Sequence, residues 1–73
     1  MGLIMATFME ATRIKNSIKM KLSQKGWFNA IRIEYKSGDS GYCVVIYVDK
    51  INDEVKRFIP SSKEGVDILL ESK

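Results

Sequence analysis

One cysteine and no histidine in 73 residues leave this chain without the staples on which very small domains usually depend. A single Cys43 cannot close a disulfide within the chain, and a Cys/His zinc site cannot be assembled from one such residue. At this size, apolar burial at ~25 cal/mol per Å² roughly balances an ordering cost of ~1.5 kcal/mol per residue. The fold must therefore rest on an efficiently used core, helped by a partner surface. Hydrophobic residues make up 45% of the chain, enough for a globular core rather than a disordered segment. Self-association is the remaining device, and it points to a homodimer.

The apolar pattern divides the chain into five elements. Residues 1–8 read as a flexible leader, with Met5 and Met9 as further potential starts. A single domain follows over residues 9–73. From about Met9 to Lys25, Ala11, Ile14, Ile18 and Leu22 repeat at helical spacing. Thr7 and Glu10 have the spacing of a capping box, and Gly26 stands where a left-handed residue would end the helix. Period two takes over at about residue 28. Asn29, Ile31, Ile33 and Tyr35 fall on one face, with Ala30, Arg32, Glu34 and Lys36 on the other. The turn-forming run Ser37-Gly38-Asp39-Ser40-Gly41 leads into Tyr42-Cys43-Val44-Val45-Ile46-Tyr47-Val48. That second strand is apolar without alternation, as expected of a central position. The two strands form a hairpin.

Beyond it the reading branches. Asn52-Asp53-Glu54 suits a helix start and Pro60 a stop, giving a short helix that buries Ile51, Val55, Phe58 and Ile59. The rival is a strand over Glu54 to Ile59. After Gly65, the alternation of Val66, Ile68 and Leu70 favours a strand, with a helix over Lys63 to Ser72 as the alternative. The expected fold is α+β in the order α-β-β-α-β, a three-stranded sheet with helices packed on one face.

Several motifs carry chemical associations. Gly38-Asp39-Ser40-Gly41 spells the heart of the nucleophile motif of trypsin-like serine peptidases, but that mechanism needs a histidine to accept the serine proton. A hairpin turn explains the four residues. Cys43 lies within an apolar strand, not the exposed, electropositive setting of a reactive thiol. Asp53/Glu54 and Glu64/Asp67 have the local spacing of caps and turns, and Asp39, Asp49 and Asp53 lack that of a calcium loop. The reading is non-enzymatic, with no metal, cofactor or small-molecule substrate implied. An enzyme subunit that completes another chain's site would need that chain to bring the missing base.

Charge is more informative. Residues 1–36 hold seven cations against two acids, net +5, whereas residues 37–73 hold five against seven, net −2, within a total of +3. Arg13, Lys15, Lys19, Lys21 and Lys25 are thus the candidate contacts to a partner or to phosphates. Trp27, Phe28, Tyr35, Tyr42 and Tyr47 are aromatic, although most fall where the core should lie. No apolar run approaches the ~20 residues that span a bilayer. The opening nine residues lack the basic region of a signal peptide. A lone cysteine suits a reducing compartment, so the expectation is a cytoplasmic protein without a membrane role.

From Ile31 to Leu70 the order Ile-Arg-Ile-Glu-Tyr, a Gly/Ser turn, Val-Val-Ile-Tyr-Val-Asp-Lys, Phe-Ile-Pro and Gly-Val-Asp-Ile-Leu resembles a known module. It is the small α+β unit preceding the protease domain in some bacterial trypsin-like peptidase homologues. The likeness rests on Val48, Lys50, Ile59, Pro60, Gly65 and Val66. It implies a strand after Gly65 and carries over no functional residue. The function expected from the sequence is a binding domain whose partner is another protein or a second copy, meeting it through outer-face residues such as Phe28, Cys43 and Leu69. A nucleic-acid-binding accessory protein using the basic first helix is the alternative.

Overall fold

The computed structural model describes residues 7–36 and 41–72. The order is α1 (Phe8–Leu22), β1 (Phe28–Lys36), β2 (Gly41–Val48), α2 (Asp53–Phe58), β3 (Ser62–Lys63) and β4 (Val66–Ser72). The sheet has four strands in the order β1-β2-β4-β3, not three. The extra strand is two residues long, too short for any periodicity to reveal. The strand after Gly65 is present, and 53–58 is helical.

Helix α1 begins where its capping residues place it. Thr7 accepts from the Glu10 amide at 3.1 Å, and the Glu10 carboxylate accepts from the Thr7 amide at 2.9 Å, so two otherwise orphaned donors are satisfied. Its buried residues are Ala11, Ile14, Ile18 and Leu22, the predicted stripe. Thr7 and Phe8 therefore belong to the helix, and the rest of the expected leader, residues 1–6, lies outside the described residues. The helix ends three residues earlier than its pattern suggested. Ser23 caps it in an ordinary right-handed conformation, and Gly26 is not left-handed.

Strand β2 is the middle of the molecule. It runs antiparallel to β1, from Lys36 opposite Gly41 to Ala30 opposite Tyr47, and parallel to β4, from Val44 beside Ile68 to Val48 beside Ser72. Val44, Ile46 and Val48 face α1 in the core, which also holds Val55, Ile59, Val66 and Ile68. Each fully buried aliphatic side chain of this kind contributes about 1.5–3 kcal/mol relative to exposure. The parallel pairing needs a crossover, and α2 supplies it. The Asn52 side chain accepts from the Val55 amide at 3.0 Å. Ile59, preceding Pro60, turns extended at φ −110°, ψ 115°, as the proline ring demands. Only Val55 and Ile59 of the expected apolar face are buried, while Ile51 and Phe58 are each 40% exposed.

A bulge changes the reading of β1. The register shifts between Phe28 and Ala30, so Phe28 stands opposite Val48 and packs against the core. Strict alternation would have sent it to the outer face. The extra residue, Asn29, is exposed, and its side-chain Nδ2 donates to Asp49 Oδ1 at 2.9 Å. Bulges of this kind insert one residue and reverse the facing of those beyond it.

Lys63 pairs with Val66 across a two-residue turn, Glu64–Gly65, with φ of 52° and 83°. Positive φ at both central residues is the hairpin geometry that favours Asn-Gly, so Glu64 sits in a conformation its side chain disfavours. Glu64→Asn is expected to stabilise the fold by about 0.5–1 kcal/mol, read as a higher urea midpoint with an unchanged slope.

Candidate interaction surfaces

The five cations proposed from the sequence do not form one surface. On a helix of 3.6 residues per turn, the buried stripe leaves Lys15 and Lys19 on one flank, with Arg13 and Lys21 on the other. Arg13 leans toward the β3–β4 turn, its Nη2 3.3 Å from Glu64 Oε1. Both side chains are more than half exposed, so this ion pair contributes under about 1 kcal/mol and can exchange for another anion. The flank bearing Lys15 and Lys19 therefore faces the β1 side of the sheet. Lys25 lies beyond the helix, its Nζ 4.6 Å from the Phe58 ring centroid.

A different cluster replaces the predicted stripe. Two adjoining hollows between α1 and α2 share Lys21 and Phe58, with Lys25 on one side and Lys63 on the other. Trp27 meets Phe58 edge-on, the ring centroids 5.9 Å apart, and its indole nitrogen donates to Glu54 Oε2 at 3.3 Å. A partly exposed aromatic ring thus carries the Lys25 ammonium over its face, with Lys21 and Lys63 lining the hollows beside it. Sequence reasoning missed Lys63 and Phe58, because Phe58 was assigned to the buried face of a helix only six residues long. Val55 and Ile59 take the buried positions, and Phe58 is left 40% exposed at the flank, where it meets Trp27 and Lys25.

The second surface is the sheet itself. Both helices lie on one side, so the other carries no layer among the described residues. Ala30, Arg32 and Glu34 stand there beside Cys43, Val45 and Tyr47, with Asp67, Leu69 and Glu71 beyond. Cys43 and Val45 are nonetheless only 2% and 3% exposed. Long side chains roof them over. Tyr47 stands opposite Ala30, and its hydroxyl reaches Glu34 Oε2 at 3.4 Å, spanning the Arg32–Val45 pair between them. Of the outer-face residues expected to form an apolar contact, Phe28 packs against the core from the helix side and Cys43 is buried, leaving Leu69 partly exposed.

The edge of this sheet is the more open feature. Strand β1 pairs with β2 on one side and with no described residue on the other. Its far end adjoins an aromatic group in which Tyr35 meets Tyr42 at 5.1 Å and Phe8 meets Tyr42 at 5.4 Å. Tyr35 and Phe8 are 59% and 55% exposed.

Among the described residues no group of three or more His, Cys, Asp or Glu side chains could hold a metal ion, and no helix is long and apolar enough to cross a membrane. The turn bearing the Gly38-Asp39-Ser40 motif lies outside the described residues. Comparison with known proteins finds no family model, no curated protein and no solved structure that matches the chain.

Reaction of Cys43 with a thiol reagent is expected to be at least about 100-fold slower in the native protein than in denaturant, reflecting local opening. Glu34→Ala or Tyr47→Ala, by removing part of the roof, is expected to accelerate it several-fold with unchanged far-ultraviolet dichroism.

Proposed function

We propose that this chain is a non-enzymatic interaction domain that binds a protein partner through the β1 edge of its sheet. The observation that carries the reading is the outer side of β1, a strand of nine residues that pairs there with no described residue and lies beside the half-exposed rings of Phe8 and Tyr35. An edge strand offers a row of backbone donors and acceptors, and a partner that adds a strand satisfies them all at once. Residues of β1 on the helix side, Ile31 and Ile33, are only partly buried and pack against the core. A partner strand would cover them further, extending the core sideways.

The hollow around Phe58 supports a second reading, a nucleic-acid-binding accessory role. Lys21, Lys25 and Lys63 would meet phosphates there and Phe58 would stack on a base. Against it stands the acidic company of the same region, with Glu54 on Trp27 and Glu64 on Arg13. The peptidase-module likeness contributes no residue to either reading.

Fluorescence anisotropy with generic single-stranded and duplex oligonucleotides separates the two. The protein-partner reading expects no detectable binding at ~50 mM salt. Binding with a log–log salt slope near about −2, shallower by about 0.7 for each of the three lysines removed, would establish the second reading. Peptides selected for binding to the full chain are expected to protect the amides of Phe28–Lys36 from hydrogen exchange. A footprint confined to α1 or the Phe58 hollow would sink the edge-binding reading.

A further inference from the structure

We infer that the partner strand is β1 of a second copy, paired antiparallel about a two-fold axis through Ile33. This rests on the edge-binding reading above and names its occupant. A two-fold pairing of one strand with itself joins residues whose numbers sum to a constant, and that sum must be even to keep both copies facing the same way. Few registers remain, and charge, the bulge and the end of the strand distinguish them. Centring on Tyr35 carries the pairing past Lys36, the last residue of β1.

Centring on Arg32 sets Arg32 against its own copy, and centring on Glu34 sets Glu34 against Glu34 and Arg32 against Lys36. Both place like charges directly opposite, which destabilises a sheet. Centring on Ile31 forces the Phe28–Ala30 bulge into the seam. Centring on Ile33 sets Arg32 against Glu34 twice, Ile33 against itself, and Ile31 against Tyr35 twice. Opposite charges meet on the outer face and apolar residues on the helix face.

An independent observation selects the same centre. The regular, bulge-free part of β1 is Ala30 to Lys36, one-to-one with Tyr47 to Gly41, and its midpoint is Ile33. Edge strands usually carry charges that deter pairing with a copy. Here a cation and an anion, two residues apart on one face, are instead self-complementary. The pairing would give a continuous sheet of eight strands. It would cover Ile31 and Ile33 and bring Tyr35 against an aliphatic side chain. The stems of Lys15 and Lys19, on the β1 flank of α1, can border that apolar seam while their ammonium groups stay in water.

The test is sedimentation equilibrium of the full chain and its charge variants, with dichroism as a check on folding. Arg32 and Glu34 are both exposed, so exchanging them replaces no core side chain, although it gives up the Tyr47–Glu34 hydrogen bond, which the dichroism check covers. The native chain is expected at twice its 8.3 kDa mass. Arg32→Glu alone and Glu34→Arg alone each convert two attractive pairs into two repulsive ones. Each should weaken the dimer at least about tenfold. Equimolar mixing of the two single variants should restore it as a heterodimer. The double variant R32E/E34R should restore the homodimer, because the exchange preserves every opposite-charge pair in this register and in no other. A native chain that stays monomeric at millimolar concentration overturns the inference, while the peptide footprint on β1 still decides the edge-binding reading separately. A dimer indifferent to both single changes, or not rescued by the double, overturns the register and with it the inference.

Discussion

Everything in this fold hangs on the burial of β2. A strand apolar along its whole length is stable only if both its faces are kept from water and both its edges are paired. Here the edges are met by β1 on one side and β4 on the other, while α1 closes one face. Tyr42, Val44, Ile46 and Val48 project toward the helix, and Cys43, Val45 and Tyr47 project the opposite way. The second face has no layer to cover it among the described residues. Among the described residues, Tyr47 and Glu34 meet across this face and shield Val45. Cys43 and Val45 are therefore kept from water on that face, and the sheet's openness among the described residues lies at its edge.

Much of this was legible in the residues. Ala11, Ile14, Ile18 and Leu22 define one stripe, and the Thr7–Glu10 spacing fixes where the helix starts, because capping is a purely local interaction. The hairpin was equally readable, since period two gives way to a continuous apolar run across a glycine-rich turn. What escaped were features governed by partners distant in sequence. The bulge at Asn29 brings its side chain to Asp49, twenty residues away, and without the bulge Phe28 falls on the wrong face. Strand β3 exists only because β4 pairs with it, and no two-residue strand announces itself by pattern. The side chain of Phe58 looked like a core residue because its neighbours Val55 and Ile59 are.

The same divide governs the candidate sites. A list of cations along the first helix says nothing about their direction, and direction separates Lys15 and Lys19 from Arg13 and Lys21. The two hollows beside Phe58 that take Lys21, Lys25 and Lys63 draw on separate segments, so their composition emerges only after the crossover through α2 is in place. By contrast, the alternation of Arg32, Glu34 and Lys36 along β1 is written in consecutive residues. Its place at an edge of the described sheet emerges only from the strand order, and it is that place which the proposed pairing uses.

The position of β4 also has a kinetic consequence. It follows β1, β2 and β3 along the chain yet lies between β2 and β3, so the sheet closes by insertion rather than by growth from one side. Helix α1 and the β1–β2 hairpin are local and can form early, as can the small β3–β4 hairpin through its two-residue turn. Joining the two halves requires Val44 to meet Ile68, a loop closure across the whole of α2, and such non-local parallel pairings are slow to form. Until it occurs, the apolar flank of β2 lies open, and its protection falls to how quickly the second hairpin arrives.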